Sequence, residues 1–340
     1  MRQASVTLAL LAGFASLLVQ DALAQGKPPM PFRVQIVYSP LYVIDLGGLE
    51  KLHPFDIRKY EKIYKQLLLD GKISDQHALV PEPLTRDQFL LIHTEPYLQS
   101  LKVRENLIRY LEAPALRLAP VDLEKKIVEP VRLSSGGTLS AARAALEVGI
   151  GINLGGGYHH AKPESGEGFC IIADIPIAIR QLQADNRIKR ALIVDVDVHQ
   201  GNGTICCLRD DESTFTFSMH QDSIYPIPKE IGDLDIELQA GCMDDEYNRI
   251  LEENLRRIMS SFQADIVFIV GGCDTLSGDP LAGLEMTTEG IVTRDALIVA
   301  SCVEKNIPVV FTLAGGYSSE AWKTQYQSIR HLIDTYGVAK

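Results

Sequence analysis

The sequence predicts an α/β chain: a single domain on a mainly parallel β-sheet, flanked by helices on both faces. Three observations carry this. The runs at 191–194 (A-L-I-V), 266–270 (I-V-F-I-V) and 309–313 (V-V-F-T-L) are almost continuously apolar, as strands buried on both faces are. Helical patterns alternate with them, which is the βαβ arrangement. No linker divides the chain after residue 31, so one sheet should run through it.

Taken in order, residues 1–24 read as a leader. Arg2 precedes an apolar run from Val6 to Val19, and Ala22-Leu23-Ala24 forms a small-x-small cleavage site, the logic of a secretory signal peptide. The run is shorter than the ~20 residues of a membrane span. This predicts export to a bacterial periplasm or the exterior, with no stable membrane span after processing. Residues 25–32, with Lys27-Pro28-Pro29-Met30-Pro31, read as an extended linker. The folded domain is then 33–340. Arg33 to Tyr38 is expected as a strand. Pro54 to Leu69 is expected as a helix, with Ile57, Tyr60, Ile63, Tyr64 and Leu67 on one face. Residues 82–111 look mostly helical, and 112–132 carry no assignable pattern. A Ser/Gly opening precedes an alanine-rich helix at 138–148, then a strand Gly151 to Leu154. A helix near 174–183 and strands Arg190 to Val196 and Thr214 to Ser218 follow. A helix 244–262, a strand Ala264 to Val270, a helix 288–305, a strand Ile307 to Leu313 and a helix 319–336 complete the chain.

Composition narrows the function. With 46% hydrophobic and 23% charged residues in 340, disordered, collagenous and coiled-coil chains are excluded. The net charge of −11 disfavours nucleic acid and suits a cationic small molecule or a basic peptide. The six cysteines include no C-x-x-C, which argues against a zinc ribbon or a thioredoxin-type site; buried free thiols are expected.

Ligands of open α/β sheets bind beyond the carboxyl ends of the strands, and there the polar residues collect. After Leu154 comes G-G-G-Y-H-H, with His159 and His160. The strand ending near Val196 runs into D-V-D-V-H-Q-G-N-G, with Asp195, Asp197, His199 and Asn202. Beyond Val270 comes G-G-C-D-T, with Asp274, and past Leu313 comes A-G-G-Y, with Tyr317. Asp195, Asp197 and His199 alternate with valines and so share one face of an extended segment. Buried carboxylates need a partner or a metal. An ion-pair network would serve, but Asp274 as a further acid favours a metal. Two carboxylates and one imidazole leave a position open, as a catalytic zinc needs, and a set without thiolates also admits Fe(II) or Mn(II). Paired histidines are often satisfied core residues. Here Asp195 and Asn202 are available at the same sheet edge to orient them, as a general acid/base requires. Tyr317, otherwise a packing residue, stands after two glycines at a strand end. Together these parts suit metal-assisted hydrolysis of an amide.

The runs G-G-G-Y-H-H-A-K-P-E-S-G-E-G-F-C, D-V-D-V-H-Q-G-N-G, G-G-C-D-T-L-x-G-D-P-L-A-G-L and A-G-G-Y resemble the zinc-dependent histone deacetylases, across about residues 33–335. Val37-Tyr38-Ser39-Pro40 and G-L-E-K-L-H-P-F-D at 48–56 are most similar to the class IV members. The resemblance implies a deacetylase-like domain and Zn(II), or Fe(II), on Asp197, His199 and Asp274. It implies His159 paired with Asp195, His160 as general base beside Asn202, and Tyr317 on the scissile carbonyl. Phe169 and Tyr225 would wall the acyl-lysine tunnel, and the Gly168 carbonyl would accept the substrate amide N–H. A structural K+ would sit near the zinc on main-chain oxygens of Asp195, Asp197 and His199, with Met219, the Asp197 side chain and the Ser218 hydroxyl. An acidic residue at the tunnel rim is also implied, and no position within 95–125 identifies it.

The expected reaction is removal of acetyl or longer acyl groups from the ε-amine of lysine in a peptide or protein. Acetylpolyamine or another acylated small amine is the alternative substrate, and a non-catalytic acyl-lysine binder the alternative function. Asn202 departs from the aspartate of some classes, which predicts a less basic His160. The leader departs from a mostly intracellular family and tells against a histone substrate. An arginase-type dimanganese site is disfavoured by Gly201 and Leu276, where further carboxylates would be needed. A dinucleotide site is disfavoured because no G-x-G-x-x-G opens a helix.

Overall fold

A computed structural model describes residues 30–339; the expected leader (1–24) and most of the expected linker lie outside them. The strands form one eight-stranded sheet in the order β2-β1-β3-β8-β7-β4-β5-β6. They are β1 (Arg33–Val37), β2 (Ala78–Leu79), β3 (Gly149–Asn153), β4 (Ala191–Asp195), β5 (Thr214–Gln221), β6 (Leu234–Leu238), β7 (Ile266–Val270) and β8 (Val309–Thr312). Every pairing is parallel.

The apolar runs serve two cores by period-2 alternation. Leu192, Val194, Val267 and Ile269 pack on one face, with the helices Lys59–Leu69, Asp244–Ser261, Thr288–Glu304 and Ala321–Tyr336. Ala191, Ile193, Ile266 and Phe268 pack on the other, with the helices Glu129–Val148 and Asp174–Ala184.

Several boundaries differ from expectation for local reasons. The helix expected from Pro54 begins at Lys59, because Asp56 first makes a turn, accepting from Arg58 N at 3.0 Å. The region 82–111 is three short helices rather than one long one. The helix expected over 138–148 begins at Glu129. Pro130 and Gly136-Gly137 look like breakers in the sequence. Pro130 stands where the widened i→i+5 turn Glu124–Val128 passes into the α-helix, a place where the regular i→i+4 ladder is already interrupted. The two glycines are there for close approach: a Cβ on Gly136 would overlap the Glu82 carbonyl, and one on Gly137 the Tyr42 hydroxyl. The unassigned 112–132 stretch holds short helical turns at Pro114–Leu118 and Glu124–Val128. Strands β2 and β6 and the helix Asn202–Leu208 had no expectation. Edge strand β6 is half exposed, so its composition lacks the apolar run that marks the central strands.

Sheet order decides the site. The strands followed by the polar motifs, β3, β8, β7 and β4, are four consecutive neighbours. Loops far apart in sequence therefore emerge side by side.

Candidate active site

The G-G-G-Y-H-H loop leaves β3 through Gly156 and Gly157, both at positive φ, which glycine alone adopts freely. Asp174, at the head of its helix, accepts Gly157 N and Tyr158 N, both at 2.9 Å, and Thr138 Oγ1 at 2.6 Å. That clamp delivers His159 and His160. His159 Nδ1 lies 2.8 Å from Asp195 Oδ2, at the end of β4. His160 Nδ1 lies 2.7 Å from Asn202 Oδ1. Burial disfavours charge on both rings, with opposite outcomes. For His159 the adjacent Asp195 and Asp197 overcome burial and raise its pKa to about 9. For His160 burial, reinforced by His159 and His199, pushes it well below the ordinary value. The surroundings thus favour charge on the His159 ring and neutrality on the His160 ring.

Asp197, His199 and Asp274 meet beside them, one ligand atom from each within 4.8 Å of the others, all buried. His199 Nδ1 is 3.2 Å from Asp197 Oδ1 and 3.3 Å from Asp274 Oδ2. Backbone amides hold the outer oxygens: Gly315 N donates to Asp197 Oδ2 at 2.9 Å and Val198 N to Asp274 Oδ1 at 2.9 Å. Asp274 Oδ2 is buried without a hydrogen-bond donor. A buried oxygen with no well-formed hydrogen bond, facing a second carboxylate and an imidazole, fits a cation, whether a bound metal or a proton carried by His199. Glycines make the space: a Cβ on Gly272 or Gly315 would overlap these carboxylates.

Tyr317 follows β8, its ring 6.2 Å from that of His199. Burial, with Asp197 and Asp274 nearby, raises its pKa well above the ordinary value, so the hydroxyl remains a donor. Two residues outside the expected set hold its loop. Asp279 accepts Tyr317 N at 2.8 Å and Ser318 N at 3.1 Å. Lys59, fully buried, donates to Ala314 O at 2.6 Å and Gly315 O at 2.8 Å. Asp279 lies within the quoted G-D-P-L-A-G-L run. Lys59 sits on a helix, 255 positions from its first partner, and nothing in the sequence marks it.

The aromatic walls stand at the opening. The Tyr225 ring lies 4.9 Å from that of His160, and the Phe169 ring 5.9 Å from that of Tyr317. Gly168 and Phe169 both have positive φ. Phe169 is held there by the turn in which Cys170 N donates to Glu167 O at 2.9 Å, and by its own N–H to Tyr110 O at 3.2 Å. Beside Phe169 opens an apolar cavity of about 260 Å³, lined among others by Leu46, Ile127, Val131 and Leu116. It shares Phe55, Tyr158 and Phe169 with the small pocket at His159, His160 and Tyr317. Glu112, in the unassigned stretch and at positive φ, lines the same cavity, and its charge acts on Tyr225. Ser218, one of the residues expected near K+, is on β5 with its Oγ 2.9 Å from His220 Nδ1, and Met219 follows it, buried.

Residues 53–333 match the family model for the histone deacetylase domain. Over 304 residues the chain is 38% identical to histone deacetylase 2 of Arabidopsis thaliana, covering 88% of this chain and 79% of that protein. It is 36% identical over 292 residues to an uncharacterized protein of Picosynechococcus, covering 86% and 95%. It is 26% identical over 300 residues to histone deacetylase 8 of Xenopus tropicalis, covering 83% and 78%. The fold matches the crystal structure of the HDA15 HD domain with a TM-score of 0.72 at 21% identity, covering 88% and 90% of the two chains. With the sheet, the strand-end motifs and these likenesses together, the chain belongs to the histone deacetylase family and is a hydrolase of that family.

Proposed function

We propose that the protein is a zinc-dependent amidohydrolase that removes acyl groups from the ε-amine of lysine in peptides or proteins. The observation that carries this is the convergence of a buried Asp197–His199–Asp274 cluster, a neutral His160 and a protonated Tyr317 at the foot of an aromatic-walled opening. Zn(II), or Fe(II), held by the three ligands would acidify a water and polarise the amide carbonyl. His160, with Nδ1 engaged by Asn202, takes the water proton on Nε2 and returns it to the departing amine. Tyr317 donates to the carbonyl oxygen as it gains charge. His159, charged beside Asp195, supports the anionic intermediate from the side. Gly168 O accepts the substrate amide N–H, while Phe169 and Tyr225 flank the lysine stem. Glu112 is our assignment for the rim acid. K+ would be held by carbonyls of Asp195, Asp197, His199 and Met219, with oxygens of Asp197 and Ser218; Ser218 Oγ lies 2.9 Å from His220 Nδ1, and in the tautomer where that nitrogen accepts, the hydroxyl keeps its lone pairs for a cation.

The apolar cavity behind Phe169 supports substrates longer than acetyl, as does the class IV likeness at 48–56. The test is lysine release from one peptide carrying acetyl, octanoyl or myristoyl, using zinc-loaded residues 25–340 with Asp274→Ala as blank. Turnover of one peptide by the wild type alone is expected. Val131→Trp, which fills the cavity, should depress octanoyl turnover more than acetyl. If every peptide is inert with zinc bound, acyl-lysine is the wrong substrate. We further read residues 1–24 as a cleaved export signal; an intact Met1 on the protein recovered from its native cell would refute that. Among the described residues no helix is long and apolar enough to cross a membrane.

A further inference from the structure

Asn202 can face His160 with either end of its amide, since oxygen and nitrogen have nearly the same shape. With Oδ1 toward the ring, at 2.7 Å, the amide accepts from Nδ1–H and the lone pair is left on Nε2. Turned over, the NH2 would need Nδ1 as an acceptor. The ring proton would then sit on Nε2, and the ring could take none there. The tautomer of a histidine follows the hydrogen bond its other nitrogen makes. Nothing within the His160–Asn202 pair decides between the two arrangements.

The far end of the amide decides it. Asn202 Nδ2 lies 2.5 Å from Glu167 Oε1. The same oxygen accepts from the Tyr225 hydroxyl at 3.1 Å and pairs with Lys162 Nζ at 3.2 Å. A carboxylate among three donors only accepts, so the turned-over amide would bring two oxygens together. Glu167 is itself fixed in place, because it opens the turn to Cys170 that carries Gly168 and Phe169, with hydrogen bonds of 2.9 and 3.1 Å between their backbones.

We propose that Glu167 is a positioning residue for hydrolysis: through Asn202 it fixes the base tautomer of His160, while through the Tyr225 hydroxyl it fixes one wall of the opening. The proposal rests on the amidohydrolase reading above. It explains how a neutral amide serves where a carboxylate would need no orienting. The acceptor-only character that a carboxylate brings is supplied one residue further out.

The test uses the zinc-loaded protein with Glu167→Gln and with Glu167→Gln/Asn202→Asp. Glutamine keeps the length but can present either end, so both orientations of Asn202 become satisfiable. We expect kcat for the acyl-lysine peptide to fall about tenfold, within the ~10²–10⁴ a positioned base contributes, with KM within about twofold and the thermal midpoint unchanged. In the double variant the carboxylate introduced at position 202 has no NH2 to turn. It accepts both from His160 and from the glutamine amide introduced at position 167. Most of kcat should return. A single variant with wild-type kcat, a change in KM alone, or a loss that the double variant does not recover would each overturn the proposal. The ¹⁵N spectrum of the histidine rings is a second readout that needs no turnover. It should show Nε2 of His160 unprotonated in the wild type and a mixture of tautomers in Glu167→Gln. If the wild type hydrolyses no peptide, the functional reading has failed, and an unchanged His160 tautomer in Glu167→Gln overturns the positioning role separately.

Discussion

Loading the Asp197–His199–Asp274 cluster with Zn(II) must expel a proton. In the metal-free protein the His199 ring lies 3.2 and 3.3 Å from the two carboxylates. Burial opposes its charge, but Asp197 and Asp274 win and lift its pKa to about 10. Asp274 is pushed up to about 6 by burial and by Asp197. A metal takes only the neutral imidazole and the carboxylates. From pH 6 to pH 10, the interval those two groups define, each zinc should release about one proton and bind tenfold more tightly per pH unit. Below that interval Asp274 adds a second proton; above it the dependence flattens. At pH 7 the His199 ring proton must leave before the metal can bind, so apparent affinity is weaker there than at pH 9. His159 is held by Asp195 at 2.8 Å, which is not a metal ligand, although Asp197, which is one, also favours its charge. The assay is calorimetric titration of the metal-free protein with Zn(II) at neutral pH, in buffers of different ionisation enthalpy. The dependence of observed heat on buffer enthalpy gives the proton count. A count of zero, or an affinity that does not change between pH 7 and pH 9, would show that His199 carries no proton between the carboxylates, and the charge balance described for the site would be wrong.

Three more outcomes follow from named contacts. Tyr317→Phe removes the donor we propose for the carbonyl oxygen and should lower kcat by about 10²–10³ with KM little changed; a fall below fivefold would remove Tyr317 from that role. Asn202→Asp places a carboxylate on His160 Nδ1 and favours the imidazolium. The acid limb of the pH–rate profile should therefore move up by about one unit, and a stationary limb would refute the link between amide and basicity. Gly315→Ala sets a Cβ against both Asp197 and Asp274 and should abolish zinc binding, whereas Gly283→Ala, where a Cβ would meet only ordinary van der Waals contacts, should leave it intact; equal zinc content in the two variants would show that the glycine does not shape the site.

The fold class was legible because a strand buried on both faces must be apolar along its length. The runs around 191–194, 266–270 and 309–313 could therefore be little else. The same constraint drives polar residues to the strand ends, which is why His159, His160, Asp195, Asp197, His199, Asp274 and Tyr317 stood out together. The resemblance to deacetylases rests on those same loops. What the sequence could not express was adjacency. That β3, β8, β7 and β4 are neighbours depends on long-range pairing, and only this brings four loops to one place. Pro130 and Gly136-Gly137 read as helix breakers because their reasons, the widened turn before the proline and the close neighbours Glu82 and Tyr42, appear only in the folded chain. Lys59 and Glu112 escaped for the same cause, whereas Glu167 and Asp279 lie inside the quoted motifs and only their partners were hidden. A lone charged side chain has no signature along the chain. It becomes part of a site when folding buries it against carbonyls, an amide or a strained loop that the sequence holds far away or leaves pointing in no particular direction.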